Sequence, residues 1–277
     1  MSNLLFSGFH RLWKNKVFWI GMIAMLVISV GTVLNGSRQA VTMMSGGDTR
    51  TLDDYYFGLA PVISLFCAVF ASLFIGTEYS DGTMRNKIIV GRTRTEIYLS
   101  NYIICFVAGA CFVAVWLIGG LVGIPFLGLW KIGIEGALLY AVVAIFFTAA
   151  LTGIFTLLCM LSSNKAITAV IAILLAIGLL VIASIIYISL GEPEFNNGVV
   201  VTSKGMQMVG PTLNHNHVSG LKRTIYQFVL ECLPSGQEIL MASHKIDCPI
   251  LSLIASAVIT FITTIAGVGA FCKKDLK

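Results

Sequence analysis

Six runs of mostly apolar residues, at positions 17–34, 58–75, 102–123, 138–161, 166–190 and 249–271, leave this chain few folds to choose from. Each reaches the length, about 17–25 residues, at which a helix rising ~1.5 Å per residue crosses the hydrocarbon of a bilayer. Hydrocarbon offers no partner to an unpaired backbone group, so such a run closes its own hydrogen bonds as a helix. The runs are continuously apolar rather than alternating, which sets membrane strands aside. Charged residues are 11% of the chain, where soluble domains carry about 25%. The expected fold is an all-α integral membrane protein, one domain over residues 1–277 with six transmembrane helices. Arg11, Lys14 and Lys16 precede the first run, as in a secretion signal. That run exceeds the usual ~7–15 apolar residues of such signals, however, and reads as an uncleaved span.

The polar segments carry the rest of the information. Residues 76–101 form an island with seven charged side chains, Glu78, Asp81, Arg85, Lys87, Arg92, Arg94 and Glu96. Each would cost several kcal/mol in hydrocarbon, so the island belongs at a membrane surface. With six spans both termini lie on the island's side. That side then holds eleven Lys and Arg against seven on the other, while acidic residues divide four to nine. Excess Lys and Arg marks the cytoplasmic face, which places the termini and the island there. The +5 net charge is thereby accounted for without nucleic acid.

Leu5, Phe9 and Leu12, broadened by Phe6 and Trp13, recur at helical spacing in residues 1–16 beside Arg11, Lys14 and Lys16. This predicts an amphipathic helix in the cytoplasmic interface, or else a frayed extension of the first span. In the external segment, 191–248, Leu221, Ile225, Phe228, Val229 and Cys232 predict an interfacial or re-entrant helix at the outer mouth of the bundle. Cys232 and Cys248 lie there and can pair if that side is oxidising. The other five cysteines lie in or beside apolar runs, where cysteine packs as a small hydrophobe.

Within the island, Gly76 and Gly82 allow a sharp turn, Thr77 or Ser80 can cap a short helix, and Gly91 can end it. Residues 83–90 would lie across the membrane surface with Met84, Ile88 and Ile89 on one side. Arg85, Lys87, Arg92 and Arg94 would then be offered to water or a partner. Charge alone is equally met by an ordinary basic loop that sets topology and touches anionic headgroups.

The order Glu78-Tyr79, Gly82-Thr83, Arg85, Gly91 and Arg94 resembles the E-Y-x-x-G-T-x-R-x-x-x-x-x-G-x-x-R stretch after the second span of type-2 ABC (ABC-2) exporter permeases. Leu233-Pro234-Ser235-Gly236-Gln237 and the ending from Phe271 to Lys277 are similar to weaker recurring pieces of that family. The resemblance implies that 76–101 is a coupling region, built from Glu78, Tyr79, Gly82, Thr83, Arg85, Asn86, Lys87, Gly91 and Arg92. Its helix would dock on a separate cytoplasmic ABC ATPase, present in two copies. ATP and Mg would bind on that ATPase and no cofactor or catalytic residue on this chain, which lacks the G-x-x-x-x-G-K-[ST] phosphate loop. The permease would work as a homodimer or beside a related permease in the cell membrane, the bacterial plasma membrane by this resemblance. Asn86, Lys87 and Thr93 depart from the commonest pattern. Among such permeases a compact chain is similar to exporters of peptides, including antimicrobial ones. Its 17 Phe and 10 Met suit a peptide or another amphipathic cargo. A lipid-linked saccharide or lipid exporter is the alternative.

Other features carry blander readings. Glu135 reads as a solvated or Lys131-paired carboxylate at the outer interface. His215 and His217 at i, i+2 make a weak metal signal without a further ligand. Gly119, Gly120, Gly133 and Gly136 suit close helix approach. Asn35-Gly36-Ser37 matches a glycosylation sequon, which is discounted because the rest of the chain reads as bacterial. A membrane enzyme needs intramembrane catalytic groups, and a secondary transporter needs broken helices or mid-membrane charges; both are sparse here. A regulatory or structural membrane protein, binding lipid but no ATPase, is the remaining rival.

Overall fold

The computed structural model describes residues 1–43, 52–128, 130–196, 199–202, 205–208 and 212–274. The chain opens with α1 (Ser2–Lys14) and α2 (Lys16–Met43), then α3 (Leu52–Tyr56), a 3-10 turn at Phe57–Leu59, and α4 (Val62–Ser80). The island folds as α5 (Thr83–Ile89) and the start of α6 (Arg94–Gly120). A short α7 (Ile124–Leu127) leads to α8 (Gly133–Leu161) and α9 (Lys165–Gly191). Four short strands follow, β1 (Phe195–Asn196), β2 (Val199–Thr202), β3 (Gly205–Met208) and β4 (Thr212–Leu213), and then α10 (Gly220–Cys232), α11 (Pro234–Ala242) and α12 (Pro249–Lys273).

Among the described residues, six helical stretches are long and apolar enough to cross a membrane: Lys16–Arg38, Leu52–Ser80, Arg94–Leu127, Gly133–Leu161, Lys165–Gly191 and Pro249–Lys273. They coincide with the six apolar runs but extend past several of them. Backbone hydrogen bonding continues into polar residues such as Thr77 to Ser80, where hydropathy has already fallen. α4 and α8 form the centre of the bundle, while α2, α9 and α12 make its rim. α9 is the most apolar span and the least buried, as expected of a face turned to lipid or to another membrane helix.

Small residues set the closest contacts. A Cβ added at Gly120 would lie 2.4 Å from the Tyr56 ring, and one at Gly119 3.0 Å from Ser29 Oγ. Polar side chains tie the same region together. The Trp116 indole donates to Tyr56 O (2.8 Å), Tyr56 donates to Leu117 O (2.8 Å), and Ser29 to Trp116 O (2.8 Å). Each removes a polar group that would otherwise be unpaired inside the bundle.

Several expectations are corrected. Gly133 has φ +77 and open space around it, at the start of α8, and Gly136 in the first turn of that helix faces only its own Ile132; neither makes a helix crossing. The Asn35-Gly36-Ser37 triplet, already discounted as a glycosylation site, is inside α2, with Ser37 donating to Leu34 O. Glu135, by contrast, is exposed at the start of α8 as a solvated carboxylate should be, and the nearby Asp53 carboxylate accepts from Lys131 N (2.7 Å). Cys232 and Cys248 are free thiols.

Among the described residues, segment 191–248 holds two helices rather than one. Pro234 at the first turn of α11 stops α10. The stripe Leu221, Ile225 and Phe228 points away from the bundle, and α11 is the buried member of the pair. Before them β1 pairs with β4 and β2 with β3, both antiparallel, as one hairpin nested in another.

Candidate functional site

Residues 76–101 organise around one carboxylate. Glu78 is in the last turns of α4 and only 2% exposed. Its Oε1 accepts from Arg11 Nη1 of α1 and Lys87 Nζ of α5, and its Oε2 accepts from Asn101 Nδ2 of α6 at 2.8 Å. Four helices therefore meet on one side chain. The Arg11 guanidinium also covers the Phe74 ring, 3.7 Å from its centroid, a cation–π contact strengthened by partial desolvation.

The local backbone explains how α5 reaches this position. Gly82, at φ +67, reverses the chain after α4, and its carbonyl accepts from Arg85 N and Asn86 N (3.1 and 3.2 Å). Thr83 Oγ1 donates to Glu78 O at 3.1 Å. Gly91, at φ +86, closes α5: its N–H bonds Ile88 O (2.9 Å) while Arg92 N–H bonds Lys87 O (3.1 Å), a Schellman motif. Thr93 then caps α6 by accepting from Glu96 N at 3.3 Å. Neither Gly82 nor Gly91 has a neighbour that a Cβ would strike, so alanine there meets backbone strain alone. Each Gly→Ala variant is expected to cost about 1–2 kcal/mol, measured as a lowered thermal midpoint in detergent.

The structure sorts the sequence-derived site residues into two sets. Glu78, Tyr79, Gly82, Thr83, Lys87 and Gly91 build the turn and its support. Arg85 and Asn86 are exposed, Arg92 is half-buried, and Ile89 and Val90 are 80% and 76% exposed. Met84 is buried and Ile88 half-buried, so Ile89 faces opposite to the side expected of it. Lys87 and Arg94 are not offered to a partner either: Lys87 pairs with Glu78, and Arg94 donates to Phe271 O, Cys272 O and Lys274 O at the end of α12. Gly76 is helical rather than a turn, and a Cβ there would lie 3.2 Å from Lys165 Cα. Thr77 and Ser80 donate back into α4 instead of capping α5.

Sequence reasoning missed Arg11, Asn101 and Lys274. Lys274 Nζ donates to Tyr79 Oη (3.1 Å) and Met160 O (3.0 Å), joining the ends of α4, α8 and α12. Burial lowers its pKa from the ordinary 10.5 to about 8. Between those values the unfolded chain holds more protons than the folded one, so this lysine makes stability rise with pH there. Wild type is expected to gain on a Lys274→Met variant as pH is raised through that window, in paired thermal melts.

A second polar knot, also missed, sits at the opposite end of α4. Glu238 of α11 is fully buried, and its Oε1 accepts from Ser64 N at 3.0 Å. It thus caps the α4 N-terminus, where a backbone N–H is unpaired and the helix dipole is positive. Burial pushes this carboxyl well above the usual carboxylate range, against the Ser64 hydrogen bond. Beside it Gln237 donates to Glu231 O (2.8 Å) and Ser252 O (3.0 Å) and accepts from Ser256 Oγ (2.8 Å). His217, from the sequence's histidine pair, has Nδ1 2.7 Å from Glu192 O.

A family model described as "ABC-2 family transporter protein" matches residues 4–182, from α1 through most of α9. The chain belongs to the ABC-2 transporter family, as a multi-pass membrane subunit. No curated protein matches it in sequence. Permeases of this family generally work with a separate ATPase subunit and are themselves typically non-catalytic.

Proposed function

We propose that this chain is the permease half of an ATP-driven exporter, with α5 as the element that receives motion from an ATPase. The observation that carries this reading is the mounting of α5. Its outward surface presents Arg85, Asn86, Ile89 and Val90, while Lys87 beneath is tied through Glu78 to α1, α4 and α6. A cation beside exposed aliphatic side chains suits a protein groove with acidic walls. The packed base would pass a displacement to the bundle as a rigid shift. Two ATPase copies would act on a homodimer or a pair of related permeases, with the α5 end cytoplasmic and ATP and Mg held by the ATPases.

For cargo we favour a peptide or another amphipathic molecule. An apolar groove of about 240 Å³ between α2, α4 and α6, walled by Val17, Leu65, Phe66, Phe70 and Phe112, supports this. It offers aromatic and aliphatic contact and almost no polar group, which suits such a cargo better than a saccharide.

The test is co-purification from cells that also express the neighbouring transporter subunits. Wild type should retain a nucleotide-binding ATPase in about equal amount. An Arg85→Glu/Val90→Glu variant, altered only on the outward face, should lose it without losing its fold. Retention by the variant, or an intact wild-type complex without an ATPase, contradicts the proposal.

A further inference from the structure

At the end of the bundle opposite Glu78, a cavity of about 130 Å³ opens between the last turn of α9, the polar face of α10, the end of α11 and the approach to α12. Two cations, Arg223 and Lys245, and two carboxylates, Glu231 and Asp247, share its lining with Tyr187. Among the described residues, none of these four charges pairs with another within 4 Å. Arg223 spends one N–H on Leu190 O (3.3 Å), and Lys245 Nζ stands 5.4 Å over the Tyr187 ring. Glu231 is held above its ordinary pKa by burial first and by the neighbouring Asp247 second.

The backbone holds this lining in place. His244, at φ +55, takes the left-handed position that closes α11. Its ring packs against Phe57 at 5.9 Å between centroids, and Nε2 is 3.3 Å from Asp54 Oδ1. The turn it makes, with His244 N bonded to Met241 O (3.1 Å) and Lys245 N to Leu240 O (2.9 Å), sets Lys245 at the cavity.

We infer that this cavity binds the headgroup of a zwitterionic aminophospholipid, its phosphate on Arg223 and Lys245 and its ammonium on Glu231, Asp247 and the Tyr187 ring. The level is that of headgroups: the cavity lies beside Leu190 and Gly191, where the apolar run of α9 ends. α10 fits the same plane, since Leu221, Ile225 and Phe228 are exposed on the face away from the cavity, an amphipathic arrangement that seats a helix in the interface. An anionic headgroup would leave both carboxylates uncompensated. A choline headgroup brings a cation that donates no hydrogen bond. Ethanolamine supplies both a phosphate and an N–H donor.

The test is native mass spectrometry of the full chain in detergent, titrated with dioleoyl phosphatidylethanolamine, phosphatidylglycerol and phosphatidylcholine. The ethanolamine lipid should bind about tenfold tighter than the other two. That preference should vanish in Arg223→Gln/Glu231→Gln and weaken in Lys245→Gln, whose exposed side chain can change without unfolding the chain. It should survive in Lys222→Gln, outside the cavity. Equal binding of the three lipids, or a preference that survives the cavity variants, overturns the assignment. So does glycine or glycerophosphoethanolamine displacing the lipid at comparable concentration, because the cavity would then serve a free zwitterion.

Discussion

Replacing Glu78 with alanine is expected to destabilise the chain by about 2–3 kcal/mol and to uncouple ATP hydrolysis from transport. The carboxylate is buried, and it is the shared acceptor for Arg11, Lys87 and Asn101. Removing one partner of a fully buried ion pair costs about 3–5 kcal/mol, because the remaining charge is left unpaired. Here Arg11 and Lys87 keep some contact with solvent, which lowers the figure. Arg11 Nε and Nη2 already lack partners, so no second acceptor waits to replace Glu78. Glu78→Gln should fall between wild type and alanine, since one amide oxygen can still accept from a cation. Thermal midpoints and the ratio of ATP hydrolysed to cargo moved read the two effects separately. An alanine variant with unchanged midpoint and coupling would remove Glu78 from the centre of the site.

Gly236→Ala should be the most damaging small substitution in segment 191–248. A Cβ there would lie 2.2 Å from Leu230 O and 2.9 Å from Leu230 C and Cα. These are backbone atoms of α10, so relief requires parting α10 from α11 rather than turning a rotamer. The expected loss is at or above the upper end of the ~1–3 kcal/mol typical of overpacking. It should come with release of Glu238 from Ser64, since α11 carries both residues. Gly269→Ala, with open space around the added methyl, is the control, expected to be neutral or to gain up to ~1 kcal/mol from helix propensity. Equal midpoints for the two variants would show that the α10–α11 junction is looser than described.

The six spans were legible because hydrocarbon burial demands continuous apolar sequence, and no other fold tolerates so many such runs. Which face of each helix turns inward was less so. In α1 the buried stripe is Leu4, Gly8 and Leu12, not Leu5, Phe9 and Leu12, and Phe6 and Trp13 face outward. Gly8 carries no hydrophobic signal, yet α6 approaches so closely there that a Cβ would sit 2.1 Å from Ile104 Cδ1. Arg11 shares that inward face, which hid it among cations assigned to water.

The charge of the island was readable as a sum, but its pairing was not. Arg11 and Glu78 are 67 positions apart, and only the packing of α1 on α6 brings them together. Gly82 and Gly91 were legible from turn chemistry because their roles are local, whereas the Tyr79 hydroxyl meets Met160 O and Lys274 Nζ far along the chain. Glu238 left no local trace: a carboxyl in a polar segment reads as solvated until α11 is found buried at the α4 N-terminus. The β-hairpins were passed over among polar residues, where Val199 to Val201 is too short a run to stand out.

The most direct measurement is photocrosslinking from position 89. A photoreactive amino acid replaces Ile89, the most exposed apolar side chain of α5, in cells that express the neighbouring transporter subunits. A second variant carries it at Met84, buried on the opposite face. The expected result is an adduct between position 89 and a nucleotide-binding ATPase chain, identified by mass spectrometry, with none from position 84. Adducts from position 89 to lipid alone, in a chain that is folded and inserted, would contradict the role assigned to α5.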